Sequence, residues 1–315
     1  MAYTSNDTNM TGSTGLSAGL QTYYNRKLLE TFEPNLVHTQ FATMYPLPAN
    51  NGKVMQMRKF TPIPANTKAL TEGNPGAGKM LAETSVTVEV KQYGDYAAFT
   101  DFLDMTHMDV NVARKVELMG NAGARSLDAL VRDELATCTN VIYAGGKSSR
   151  SALTAADKLT SKELRKAVRT LKKGLAQPFS GYFVAIVGPD VIYDLQDDEA
   201  FVKVSAYQDK ENIYTGEVGR LYGVRFVETT EAKVFTGAGA SGADVASVIV
   251  LGQDAYGMTG VGGKTAPHVI VKPAGSAGTN DPLDQINTVG WKLDGFAVKL
   301  LQPEYAVRIE CGFSQ

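Results

Sequence analysis

Between Asp109 and Tyr143 the apolar positions Val112, Val116, Met119, Gly123, Leu127, Leu130 and Leu135 recur at steps of three, four or five residues. That period puts one apolar stripe along a helix. The intervening Arg114, Lys115, Glu117, Asn121, Arg125, Asp128 and Arg132 suit a solvated or partner-facing flank. Asp109 is placed to act as N-cap, accepting from the orphan amides of the first turn, and Gly145-Gly146 supplies a stop. At about 1.5 Å per residue such a helix approaches 50 Å, several times the usual length. It reads as a strut across which other pieces are laid.

Period two marks the strands. Thr84 to Tyr93 alternates, with Val86, Val88 and Val90 on one face and Ser85, Thr87, Glu89 and Lys91 on the other. Lys53 to Thr61 reads as its partner, following the turn signal Asn50-Asn51-Gly52. The intervening Pro62 to Glu83 holds Pro64, Gly73, Pro75, Gly76 and Gly78 and little to bury. An isolated hairpin is marginal in water. A ribbon this long therefore predicts that another subunit supplies the surface it lies on.

After the strut a compact α/β portion is predicted. Thr160 to Ala176 is a helix with Leu164, Val168, Leu171 and Leu175 on one face, and Thr160 with Glu163 has capping-box spacing. Strands are expected at Gly181 to Val187, Val224 to Val227, Ser247 to Leu251 and His268 to Lys272, with a short helix from Pro189 through Leu195. Near the end Phe296, Val298 and Leu300 alternate, and Tyr305, Val307, Ile309, Cys311 and Phe313 face one way. These last strands are expected to pair beside the long helix. At the other end, Met1 to Leu20 is too poor in large apolar side chains to repay its ordering entropy. Tyr24, Leu28, Leu29, Phe32, Leu36, Val37 and Phe41 then suggest an amphipathic helix broken at Pro34.

Composition narrows the function. The 315 residues exceed the size at which single cores usually split. Lys and Arg number 31 against 33 Asp and Glu, a net charge of -2, which argues against a protein whose main task is gripping phosphate backbone. Cys138 and Cys311 are too few for a disulfide framework and read as buried thiols in a reducing compartment. Neither a signal peptide nor an apolar run of membrane-spanning length is visible.

Short motifs carry little chemistry. Gly262-Gly263-Lys264-Thr265 invites a phosphate-loop reading, but Met258 stands where the first Gly is required, and Gly146-Lys147-Ser148 fails likewise at Val141. Asp197-Asp198-Glu199 reads as a solvated run, and Asp101 with Asp104 as capping residues. His38, His107 and His268 lack metal-ligand spacing. The residues predict no catalytic, cofactor-binding or metal-binding site.

Several collinear blocks resemble a known family. Tyr23-Tyr24-Asn25-Arg26-Lys27-Leu28-Leu29, Pro34-Asn35-Leu36-Val37-His38, Asn51-Gly52-Lys53 and Arg58-Lys59-Phe60 are similar to major capsid proteins of short-tailed, N-four-like bacteriophages. So are Lys91-Gln92-Tyr93-Gly94-Asp95-Tyr96 and Leu127-Asp128-Ala129-Leu130-Val131-Arg132. The resemblance implies an α+β chain with the Hong Kong-type phage capsid fold. Residues 1–48 would be an N-terminal arm, 49–93 an extended β-hairpin loop, 94–150 with 283–315 a peripheral domain holding the spine helix, and 151–282 an axial α/β domain. The implied function is to tile an icosahedral virion shell, as hexamers and pentamers, around double-stranded DNA. Portal and scaffolding proteins, and a cement protein, are the partners this implies, with assembly in the bacterial cytoplasm and no membrane. Some relatives cross-link through a Lys-to-Asn isopeptide bond; Lys68 and Lys79 lie near the loop tip, but nothing identifies an acceptor.

A closed shell needs extensive, individually weak contacts. Arg58, Lys59, Lys68, Glu72 and Lys79 are the polar groups expected at these rims. The near-neutral balance predicts weak, non-specific contact with packaged DNA. Two rival readings are an encapsulin-like compartment shell and an α/β nucleotide-binding enzyme using the segment near Lys264.

Overall fold

The computed structural model describes residues 37–60, 63, 65–67, 69, 72, 78–106, 112–198, 220–276 and 281–314. In chain order, β1 (Thr43–Met44), β2 (Val54–Phe60), β3 (Glu83–Glu89) and β4 (Lys91–Thr100) precede α1 (Asp101–Thr106) and α2 (Val112–Leu135). Then come β5 (Val141–Tyr143), α3 (Ser161–Lys173), β6 (Phe183–Val187), α4 (Pro189–Gln196), β7 (Arg220–Leu221), β8 (Val224–Glu228) and β9 (Val234–Phe235). The chain finishes with β10 (Val245–Leu251), β11 (Tyr256–Gly260), β12 (His268–Lys272), β13 (Ile286–Leu300) and β14 (Ala306–Cys311).

The strands make two large sheets. One runs β5-β14-β10-β6-β8-β7, with β9 also on β10; the other runs β1-β11-β13-β12, with β4 also on β13. The first sheet is covered on both faces, which is why β6 is an uninterrupted apolar run and β10 one broken only by Ser247, instead of alternating ones. On one face Phe183, Ala185, Val187, Val248, Val250, Val307, Ile309 and Cys311 meet Leu164, Val168 and Leu171 of α3 and Val191 and Leu195 of α4. On the other, Val184, Ile186, Ile249 and Leu251 join Val131 and Leu135 of α2 with Trp291, Leu293 and Phe296 of β13.

The long helix is shorter than its pattern suggested. It ends at Leu135, not Tyr143, so it measures about 36 Å. Thr137 and Cys138 close the last turn onto Glu134 and Leu135. Val141-Ile142-Tyr143 then leaves as a strand, pairing in parallel with Arg308, Ile309 and Glu310. A β-branched run beside a waiting strand edge outweighs the helical period. Gly145 and Gly146 turn the chain after β5 and do not cap the helix. The proposed cap Asp109 and the amphipathic helix before Pro34 lie outside the described residues, as does Met1 to Leu20.

The C-terminal strands separate. β13 pairs with β4, β11 and β12 and lies under α2, as expected, but β14 joins β10 and β5 in the other sheet. Conversely β11 and β12 belong with β13. β14 is buried at every position, and in the first sheet both of its faces are covered.

Candidate subunit interface

The hairpin is built by β2 and β3 in register from Val54↔Glu89 to Phe60↔Glu83. Its inner face carries Met55, Met57 and Lys59 opposite Val88, Val86 and Thr84, and its outer face Val54, Gln56 and Arg58 opposite Glu89, Thr87 and Ser85. The alternation read from the sequence is thus observed. At the base Lys53 Nζ lies 2.8 Å from Glu89 Oε1. Hydrogen bond and charge together hold the Lys53 amine above its ordinary range and the Glu89 carboxyl below its own.

The ribbon is not bare against its own chain. Val88 is buried, the Thr259 hydroxyl donates to Met55 Sδ at 3.7 Å, and Lys59 Nζ reaches Glu304 Oε2 at 3.4 Å. The expectation that residues 50 to 93 as a whole lack an apolar partner is corrected accordingly: the base is seated on its own subunit. Val54 at the base remains 49% exposed, and the most uncovered side chains lie beyond it, with Ile63 53% exposed, Leu81 68% and Met80 95%. Arg58 pairs within the hairpin, its Nε 3.3 Å from Glu83 Oε1. Glu72 and Lys79 are exposed, and Lys68 lies outside the described residues.

The sequence reading missed a second exposed set. In α1, Phe102, Leu103 and Met105 are 68%, 44% and 73% exposed. Strand pairing of Thr100 with Ile286, and the Asp101 amide on Gln285 O, bring exposed Leu283 and Ile286 to the same end of the sheet. The signal is present as Phe102-Leu103 between Asp101 and Asp104, with Met105 directly after them. Asp101 accepts from the Phe102 amide at 2.7 Å, one residue on, while the cap is made by Thr100, whose hydroxyl accepts from the Leu103 amide at 3.3 Å.

Other motifs resolve into structure. Asp128, assigned to the solvated flank, is 1% exposed and accepts from the His38 amide at 2.9 Å, with His38 Nδ1 2.6 Å from its other oxygen. The Tyr256 hydroxyl donates to the His38 carbonyl. Together they seat the end of the arm on α2, beside the parallel pairing of β1 with β11. Asp198, read as part of a solvated run, accepts from the Ser161 amide at 2.8 Å and so serves the start of α3. At Thr160 the hydroxyl donates to the Glu163 carboxylate and accepts from no amide of the first turn, which a capping box would require. Both cysteines are buried free thiols; burial pushes Cys138 up and Cys311 up to about 12.

The phosphate-loop reading fails on its amides. Gly262 N donates to Leu47 O, Gly263 N to Gly260 O and Lys264 N to Val261 O, so these donors are spent on the backbone. Among the described residues no group of three His, Cys, Asp or Glu is placed to hold a metal. No described helix is long and apolar enough to cross a membrane.

A family model for phage capsid proteins matches residues 83–309, most of the chain. The chain belongs to the phage capsid protein family. It is a major capsid protein, a structural component of the virion that forms the icosahedral shell. Its α+β architecture is that of the Hong Kong-type fold. The capsid of cyanophage P-SCSP1u superposes with a TM-score of 0.71 at 17% identity, over 96% of both chains. The cyanophage Pam1 capsid gives 0.70 at 16%, over 96% of this chain and 99% of that one. The capsid of Ralstonia phage GP4 gives 0.69 at 11%, over 98% and 99%. No curated protein matches the chain by sequence. At identities of 11–17% the likeness is one of fold, so the contacts of this capsid protein are read from its own side chains.

Proposed function

We propose that this capsid protein assembles as hexamers and pentamers into a closed shell around packaged double-stranded DNA, and that its role is purely structural. Portal, scaffolding and cement proteins are its partners on this reading, and assembly occurs in the bacterial host's cytoplasm. The arm is 1–48 and the extended loop 49–93. The peripheral domain takes 94–150 and the body of 283–315, and the axial domain 151–282. The sheet pairings favour moving β11 and β12 to the peripheral domain and β14 to the axial one.

The observation that carries the contact assignment is the pairing of a seated base with an exposed distal end. Met80 and Leu81 present large apolar side chains to water on a ribbon whose root is fixed, and uncovered apolar surface on a folded protein marks an interaction site. A neighbouring copy is the occupant a shell supplies, with Arg58, Lys59, Lys68, Glu72 and Lys79 at the rim. The exposed residues of α1, with Leu283 and Ile286, form a second contact in the same assembly.

Replacing Met80 and Leu81 together by Asp tests this. Expected is a chain with unchanged melting temperature that no longer forms shells in negative-stain microscopy. Normal shells from the double variant would remove the ribbon's far end from the interface.

A further inference from the structure

A net charge of -2 conceals one strongly basic element. α3, with sequence SKELRKAVRTLKK, carries six Lys and Arg in 13 residues, and its one acid, Glu163, is buried at 3% exposure. The whole chain has only 31 such cations against 33 acids, so this helix departs sharply from its surroundings. Its apolar face is committed: Leu164, Ala167, Val168 and Leu171 pack into the first sheet. Lys162, Arg165, Arg169, Lys172 and Lys173 are exposed on the opposite side, with Lys166 half-exposed beside them. Steps of three and four place these cations in one row. The row is about 16 Å long.

Among the described residues little of that charge is answered. Among the described residues, the ion pair made by this row is Lys166 to Glu163, at 3.7 Å. Arg165 instead lies over the Tyr222 ring, 5.3 Å from its centre, which braces the guanidinium without neutralising it. Like charges at helical spacing destabilise the free helix slightly, so a partner of opposite sign gains by covering the row.

We infer that the exposed face of α3 binds the phosphate backbone of double-stranded DNA and is the surface through which this capsid protein meets the packaged genome. Between its cations stands only Thr170, half-exposed, and the apolar groups at its margin, Tyr222 under Arg165 and Leu175 beyond the helix end, are single side chains, whereas specific protein interfaces centre on clustered aromatic and apolar anchors. A straight row of cations matches a stiff polyanion that carries one charge per about 1.7 Å of its axis. Three or four phosphate contacts give binding that ignores sequence and fades with salt. That is how a shell can hold DNA close yet let it leave. The assignment rests on the shell reading only for the identity of the polyanion.

The test compares two triple variants of the full chain in binding a random-sequence 30-base-pair duplex, followed by fluorescence anisotropy across a salt series. One replaces Arg165, Arg169 and Lys172 by Gln; the control replaces Lys91, Lys264 and Lys272, which are exposed on the other sheet's side. The α3 variant is expected to bind at least about 10-fold more weakly at low salt, with the slope of log K on log salt reduced by about 2.7, some 0.9 per lost phosphate contact. The control should match wild type. A second measurement needs no variant: duplex DNA should protect Lys162, Lys166, Lys172 and Lys173 of the wild-type chain from acetylation, and leave Lys91, Lys264 and Lys272 reactive. Equal binding by both variants, no binding by wild type, or absent protection would overturn the inference. So would an α3 variant that binds DNA normally but cannot form particles, which would assign the face to a neighbouring copy or an acidic protein. Particle formation is scored separately by microscopy, so failure of the shell reading and failure of the α3 assignment give different results.

Discussion

His38 and Asp128 show what a single buried pair does here. Each is 1% exposed, and the carboxylate takes both the backbone amide and the ring nitrogen of His38, so removing it strands two polar groups in the core. Asp128→Ala is expected to cost about 3 kcal/mol or more, measured by urea unfolding; a loss under about 1 kcal/mol would show that the arm is held by other means. Asp194 fastens the other terminus. Its carboxylate accepts from the Ser314 amide at 2.8 Å and hydroxyl at 2.7 Å, with Lys158 Nζ 2.7 Å away. Burial works to raise its pKa, but these donors outweigh burial and leave it below the ordinary 3.8. A carboxyl with a depressed folded-state pKa stabilises the fold above its unfolded value, and that contribution is lost as pH falls through the folded one. Asp194→Asn should therefore lower the melting temperature at pH 7 and flatten its fall below about pH 4. Parallel pH profiles for the two proteins would contradict the assignment. Neither pair was legible in the sequence, because both join residues 90 or more positions apart and nothing local announces a partner.

At the scale of the element, the apolar period located α2 but not its end. The stripe Gly123, Leu127, Leu130 and Leu135 faces the second core, and the helix stops where the sequence changes to Thr-Cys-Thr-Asn-Val-Ile-Tyr. A stop set by pairing with β14 cannot be seen from one side of the pair. Gly123 marks where the helix comes closest to the sheet: a Cβ there would sit 3.1 Å from the Trp291 ring and 3.2 Å from Pro267. Gly123→Val should push α2 off β13 and cost about 1–3 kcal/mol despite removing a helix glycine. A more stable variant would mean that the contact is slack. In α3 the apolar face is legible from the spacing of Leu164, Val168 and Leu171. The basic opposite face is hidden in a net charge of -2, which sums over the whole chain and carries no information about where charge is concentrated.

For the whole molecule, the hairpin, strut and separate α/β portion were all legible, since each has its own period and punctuation. How the strands divide between sheets was not. β11, β12 and β14 are short apolar segments whose sheet depends on which surfaces lie on both their faces, and that is decided only when distant parts meet. The expectation for the ribbon is narrowed in extent: its base makes contacts with its own chain, and its most exposed apolar side chains, Met80 and Leu81, lie towards its far end.

Cryo-electron microscopy of particles formed by the purified chain, alone and with a scaffolding partner, tests the central claim most directly. The account predicts closed icosahedral shells in which Met80 and Leu81 of each copy are covered by a neighbour while Lys59 still reaches Glu304 of its own chain. Shells in which those two side chains face solvent, or a chain that stays monomeric under every assembly condition, would contradict it.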